Sequence, residues 1–122
     1  MSAAALQVIA EDRAVTVVRV SQPFDVASLV TALATGGLRA VELALTTPGV
    51  LAHLAGATID NAAVVGVGTV LTAEDAGTPI NAGAQFLVTP AVRESVAQVA
   101  GPRNVPVIMA PTPQRKCWRR WT

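Results

Sequence analysis

Short apolar, β-branched runs recur along this chain at Ala14–Val20, Ala40–Leu45, Ala63–Val67, Ala84–Val88 and Val105–Met109. A strand with one face in water alternates apolar and polar residues. These runs are almost continuously apolar, so they read as strands buried on both faces, the pattern of a parallel sheet. Counting from Val15, the repeat falls at Val41, Val64, Gln85 and Pro106, at intervals of 26, 23, 21 and 21 residues. Each interval suits one strand and one covering helix, the crossover that parallel neighbours require. The unit is therefore βα, repeated. Two architectures accommodate it, an open doubly wound sheet or a (β/α)8 barrel, and the barrel normally takes about 200 residues or more. Five units in a chain of 122 residues do not close one.

Helix punctuation fills the intervals. Asp25 is an N-cap ahead of Val26, Leu29, Val30 and Leu33 at i, i+3, i+4 and i+7, and Gly36-Gly37 is the stop. A weaker helix fits Pro48–Gly56, with Pro48 at a first helical position and Leu51 and Leu54 toward the core. Thr72 opens a third, with Asp75 three residues on as a capping-box variant and Gly83 at its end. Within it Gly77-Thr78-Pro79 is unusual, because an interior proline costs about 3 kcal/mol. The fourth covers Ala91–Ala100, with Val92, Val96 and Val99 on one face.

At 52% hydrophobic and 14% charged residues the chain has the composition of a globular domain. No apolar run reaches the ~18 residues of a spanning helix, and no basic-then-apolar leader opens the chain, so a cytoplasmic protein is expected. The single cysteine, Cys117, has no partner for a disulfide within the chain and no metal-ligand spacing around it. The net charge of +1 hides a break. Arg115, Lys116, Arg119 and Arg120 supply four of the nine basic residues, and the same stretch holds Trp118, Trp121 and the chain's only lysine. Residues 1–114 and the basic tail 115–122 are thus two compositional units.

Few residues in the body carry chemistry. Glu42 stands mid-strand in Val41-Glu42-Leu43-Ala44-Leu45, where a buried carboxylate costs several kcal/mol unless paired or put to use. Alternation groups it with Ala44, opposite Val41, Leu43 and Leu45, so the Glu/Ala face fits a barrel interior. It reads either as a general acid/base with a raised pKa or as a lumen glutamate bonded to a neighbour. Arg19 lies near the C-terminal end of the first strand, at the mouth where parallel α/β folds bind ligands. It suits a substrate carboxylate or phosphate, or is an exposed strand-end arginine. Gly66-Val67-Gly68-Thr69 admits close approach of backbone to a ligand, or is a tight βα turn. It is not a dinucleotide fingerprint, because Leu71 occupies the last glycine position. Thr89-Pro90 reads as a turn, and His53, alone on a short helix, as solvated.

Together these segments are more specific than any one of them. Gly36-Gly37-Leu38-Arg39-Ala40-Val41-Glu42-Leu43, Val64-Val65-Gly66-Val67-Gly68-Thr69-Val70-Leu71 and Ala82-Gly83-Ala84-Gln85-Phe86-Leu87-Val88-Thr89-Pro90, in that order and spacing, resemble the 2-keto-3-deoxy-6-phosphogluconate (KDPG) and 4-hydroxy-2-oxoglutarate (KHG) aldolase family. The resemblance covers about residues 12–114 and implies the first five units of a (β/α)8 TIM barrel, usually a homotrimer. It implies a lyase that cleaves a 2-keto-4-hydroxy acid to pyruvate and an aldehyde through a lysine Schiff base, with no metal or cofactor. Glu42 falls on the family's catalytic glutamate, and Thr69 and Pro90 fall on positions near the pyruvate moiety. Arg19 matches a substrate-binding arginine, and Thr46 stands where many members have another. The partner expected is a small keto acid, neither nucleic acid nor membrane. The family's Schiff-base lysine lies on strand six in a Lys-x-Phe-Pro context that this sequence lacks, so the chain as written is expected to be inactive alone. With its barrel open it is also expected to aggregate or to form non-native oligomers.

A second reading takes the chain as a non-catalytic α/β module whose Arg/Trp tail binds an acidic partner through phosphate and cation–π contacts. The tail also has a coding explanation. Read one nucleotide earlier, Cys117-Trp118 yields Leu, Trp121-Thr122 yields Asp, and the remaining codons permit Thr-Glu-Glu-Val-Leu-Ala-Ala-Met-Asp, a capped amphipathic helix. A frameshift near Pro111–Gln114 is the expectation. Sequencing the gene through codons 111–122 is expected to show the helix in the shifted frame, followed downstream by the lysine motif; a single frame with no such motif would exclude it.

Overall fold

The structure, a computed structural model, describes residues 2–22, 24–57 and 63–109. Five strands, β1 (Thr16–Val18), β2 (Ala40–Ala44), β3 (Val64–Gly68), β4 (Leu87–Thr89) and β5 (Val107–Met109), form one parallel sheet in sequence order. Five helices, α1 (Ser2–Asp12), α2 (Val26–Thr35), α3 (Val50–Ala57), α4 (Ala73–Asn81) and α5 (Glu94–Ala100), precede or separate them, and a short 3-10 turn, Gly101–Arg103, follows α5. The basic tail lies outside the described residues.

Which side of the sheet the helices cover decides between the two architectures. Val41 and Leu43 of β2, Val65 and Val67 of β3 and Leu87 of β4 pack in one cluster with Val26 and Val30 of α2, Val50 and Leu54 of α3, Ala76 and Ile80 of α4 and Val96 and Ala100 of α5. All four crossover helices therefore sit on one face. A doubly wound sheet would reverse its strand order and place helices on both faces; a single winding in sequence order is the barrel solution. The fold is a partial (β/α)8 barrel whose other face is its interior.

Most helix ends are set as the sequence dictates. The Asp25 carboxylate accepts from Ser28 N at 3.1 Å and from Ser28 Oγ at 2.6 Å. At the other end of α2, Gly37 takes φ 97°, a conformation favoured only for glycine, and lets Leu38 N–H donate to Leu33 O at 2.9 Å. Thr72 Oγ1 accepts from Asp75 N at 3.0 Å, but Asp75 reaches back to Leu71 N at 3.4 Å rather than to the N–H of Thr72 itself. Pro79 lies in the last turn of α4, buried, and its carbonyl accepts from the N–H groups of Ala82 and Ala84.

Strands β1 and β5 are shorter than the runs Ala14–Val20 and Val105–Met109 read from the sequence, and three other elements start later for visible reasons. Helix α3 starts at Val50 and buries Val50 and Leu54, an i, i+4 pair, leaving Leu51 37% exposed. Helix α5 starts at Glu94 rather than Ala91, because the Thr89 hydroxyl donates to Ala91 O at 2.6 Å and Arg93 is extended; Val92 is 65% exposed before the helix begins. Strand β4 starts at Leu87 rather than Ala84, since the side-chain carbonyl of Gln85 accepts from Val65 N at 2.9 Å in place of a ladder bond.

Helix α1 has no counterpart in the sequence reading. Its Ala5 is fully buried with Ala40, Val64 and Phe86, flanked by Val8, Ile9 and Val15, so α1 fills the interior face at the N-terminal ends of the strands. An ion cluster fixes it there. Arg39, just before β2, donates through Nε and Nη2 to Asp12 at 2.7–3.2 Å and through Nη2 to Glu11 at 2.7 Å, and its backbone N–H donates to Asp12 Oδ2 at 3.0 Å. Those hydrogen bonds hold the Asp12 carboxyl below the usual carboxylate range. Among the described residues no helix is long and apolar enough to cross a membrane.

A depressed carboxylate pKa stabilises the fold above the unfolded-state value and stops doing so as pH falls through the folded value. Asp12→Asn is expected to lower the melting temperature at pH 7, with the gap to the parent closing as pH drops below about 4. Glu11→Gln, whose partner pair is half exposed, is expected to lower it less. Thermal melts across pH measure both.

Candidate active site

Strand β2 carries one charge, and the sheet's winding decides where it points. Ala40, Glu42 and Ala44 face the interior, because Val41 and Leu43 are committed to the helix-side cluster. Register pairs Glu42 with Val17 of β1 and Gly66 of β3, and Ala44 with Gly68. Glu42 is 7% exposed. Side chains in strands lean along the strand, and that of Glu42 leans toward the C-terminal end, so its carboxylate stands over Gly68, where a Cβ would collide with it.

Burial pushes the Glu42 carboxyl above its usual range, and the positive charge of Arg19 partly offsets this. The two effects are opposed by construction, since one neutralises the acid and the other ionises it. Among the described residues the carboxylate accepts no hydrogen bond, unlike that of Asp12. It is therefore a carboxyl with free lone pairs, on a largely buried side chain, within the field of a cation.

Arg19 follows β1, exposed, and its Nη2 donates to Thr69 Oγ1 at 3.3 Å. Thr69 follows Gly68 with φ 63°, the left-handed region that a β-branched residue rarely enters. Such a conformation costs on the order of 1–3 kcal/mol and persists only where surrounding structure imposes it. Here Leu45 N–H donates to Gly68 O at 2.9 Å and Val70 N–H to Val88 O at 3.3 Å, pinning the chain on both sides of Thr69. The structure thus brings Glu42, Arg19 and Thr69 together at the C-terminal edge of the sheet. Pro90 follows β4 at that edge, exposed, with no hydrogen bond or ion pair joining it to the other three.

Two features of this edge escaped the sequence reading, which took Gly68 only as close approach of backbone to a ligand or as part of a tight βα turn. Gly68 supplies the space above which the carboxylate stands. Thr47, just beyond β2, is 3% exposed and its hydroxyl has no hydrogen-bond partner among the described residues. Neither has a local signal, because both depend on what another strand or helix places next to them. His53 is not simply solvated: its ring lies 6.3 Å from that of Phe24, tilted by 48°. A cavity of about 270 Å³ lies at the opposite end, lined by residues that include Gln85, Arg103 and Asn104 but none of the site residues. No group of three or more His, Cys, Asp or Glu side chains is placed to hold a metal ion among the described residues.

A family model described as KDPG and KHG aldolase matches residues 6–112. Among solved structures, a 4-hydroxy-2-oxoglutarate/2-dehydro-3-deoxyphosphogluconate aldolase from TTHB1 is 32% identical with a TM-score of 0.79, covering 93% of this chain and 56% of that one. The 2-keto-3-deoxy-6-phosphogluconate aldolase of Zymomonas mobilis, solved with 3-phosphoglycerate, is 26% identical with a TM-score of 0.71, covering 84% and 51%. The KDPG aldolase of Legionella pneumophila, solved with pyruvate as a covalent carbinolamine, is 23% identical with a TM-score of 0.69, covering 86% and 52%, and shares the fold. The chain spans about half the length of these structures. No curated protein matches it.

A raised carboxyl pKa stabilises the fold below the unfolded value and withdraws that support as pH rises through the folded value. Glu42→Gln is therefore expected to gain melting temperature relative to the parent as pH rises from about 4 toward 8, the window above the ordinary carboxylate value. A difference that stays flat with pH would place the carboxyl in solvent.

Proposed function

This chain belongs to the KDPG and KHG aldolase family, and from that premise we propose that it provides the acid/base and carboxylate-binding half of a class I aldolase site. The substrate is a 2-keto-4-hydroxy acid, of which 2-keto-3-deoxy-6-phosphogluconate and 4-hydroxy-2-oxoglutarate are the two that the similar enzymes are named for. The products are pyruvate and an aldehyde. The observation that carries this reading is the Glu42 carboxyl, buried on the interior face with unoccupied lone pairs and next to the Arg19–Thr69 pair.

The chemistry fits such a group. A lysine amine adds to the C2 carbonyl, and the resulting carbinolamine loses water to give an iminium. Expelling that hydroxyl needs a proton donor. Breaking the C3–C4 bond needs a base to take the C4 hydroxyl proton, and the enamine left behind must be protonated at C3 before hydrolysis frees pyruvate. One carboxyl whose pKa is drawn up by burial and down by a cation can serve as acid and base in turn, through a bound water. Arg19, with donors left beyond its bond to Thr69, suits the substrate carboxylate, and the Thr69 hydroxyl suits the carboxylate or the keto oxygen. Pro90 forms a rigid wall at the same edge.

The amine is not among the described residues, since the only lysine is Lys116. Lys116 stands in a run of basic and tryptophan residues rather than in an apolar setting that would depress an amine pKa, so we assign it no Schiff-base role. The chain as written is then inactive alone.

Two measurements test this. Borohydride reduction of the chain with pyruvate is expected to leave its mass unchanged, and a trapped adduct on Lys116 would overturn the inactivity. Joining residues 1–109 to the later strands of the Zymomonas aldolase is expected to give a barrel that traps pyruvate. In that barrel Glu42→Gln is expected to lower kcat by about 10²–10⁴-fold, the usual worth of a general acid/base. Unchanged kcat would remove Glu42 from the chemistry.

A further inference from the structure

Gly66 and Gly68 occupy successive interior positions of β3, and the space above each is taken by a different neighbour. A Cβ on Gly66 would lie 2.5 Å from the Phe86 carbonyl oxygen and 2.6 Å from its ring. A Cβ on Gly68 would fall within the carboxylate of Glu42 and 2.9 Å from its Cγ. Neither glycine has a positive φ, so backbone conformation does not demand glycine at either place. Space demands it at both.

We propose that Gly68 is a positioning residue for Glu42, its missing side chain being the site in which the carboxylate is held against the sheet between Arg19 and the strand. The register supports this reading. Glu42 is level with Gly66, and leaning one step along β2 carries its carboxyl to the level of Ala44 and Gly68. With any side chain at position 68 the carboxylate has to swing toward the open mouth of the sheet. It would then gain water and lose the burial that raises its pKa.

The two glycines differ in what can give way. At Gly66 the obstacle is backbone and a fully buried ring, which cannot yield without moving β4. At Gly68 it is the far end of a flexible side chain. Gly68→Ala is therefore accommodated by the carboxylate, and Gly66→Ala by the fold.

This inference rests on the acid/base reading only for its consequence in catalysis, and its test needs no turnover. Titration of the Glu42 side-chain carboxyl by NMR in the full chain is expected to move down toward the ordinary carboxylate range in Gly68→Ala. In Gly66→Ala it is expected to stay in place while that variant loses more stability. Urea unfolding supplies the second arm. The factor by which Gly68→Ala lowers the folding constant is expected to shrink by about fivefold or more in a Glu42→Ala background, as for residues in direct contact, and the same background leaves the effect of Gly66→Ala unchanged. Should Gly68→Ala not fold, the double variant Gly68→Ala/Glu42→Ala is expected to fold, and its failure overturns the proposal. An unmoved Glu42 titration, or equal losses in both backgrounds, overturns it as well. If Glu42→Gln in the joined barrel loses turnover while these measurements fail, the acid/base reading stands without Gly68.

Discussion

A parallel sheet wound in one direction places every crossover on the same side, and for this chain that constraint fixes the rest. Helices α2 to α5 cover one face, so the strands have no helices of their own to bury the other. That second face must be filled from the strands' own side chains and from whatever the chain can bring to its ends. At the N-terminal end α1 does this with Ala5 against Ala40, Val64 and Phe86. At the C-terminal end the filler is a carboxyl, Glu42, over a glycine. The polar end is also the end at which βα folds gather their loops, which is why a buried acid there has an arginine and a threonine hydroxyl within reach.

The two ends treat charge in opposite ways. Asp12 sits among donors that satisfy it and fix it ionised, and Arg39 in turn ties a helix to a strand. Glu42 is partly desolvated without such donors and faces one cation at longer range. A saturated carboxylate is a structural anchor because every change of protonation breaks bonds. An unsaturated one can change protonation at little structural cost. The same residue chemistry thus serves as scaffold at one rim and, under the proposed function, as acid and base at the other.

Much of this was legible in the residues. Apolar runs at regular intervals gave the parallel strands, Asp25 and Thr72 gave helix starts that the structure shows with their side-chain bonds, and alternation in Val41-Glu42-Leu43 put Glu42 on the face away from the helices. The resemblance to the aldolase family added the barrel, which periodicity alone could not separate from a doubly wound sheet. Helix α1 was missed because its small apolar residues carry no cap signal and its packing partners come from strands far along the chain. Leu51 and Val92 were placed inward because spacing alone leaves a helix's starting residue free by a turn, and tertiary contacts chose Val50, Leu54 and Val96. The left-handed Thr69 and the space over Gly68 are invisible in sequence for a related reason: each is a property of two neighbouring strands and not of one.

The strand order β1-β2-β3-β4-β5 has a consequence in time. Each strand pairs with the one made just before it, and the Asp12–Arg39 clamp closes as soon as β2 begins. Loops of this size cost little entropy to close, and no strand pairing waits for a distant segment. A nascent chain emerging at the usual ~5–20 residues per second can lay down one βα unit after another behind the ribosome, with α1 tied to β2 through Asp12 and Arg39 and its packing completed when Val64 and Phe86 arrive. The Glu42 pocket would be shaped once β3 has arrived, well before synthesis reaches β5.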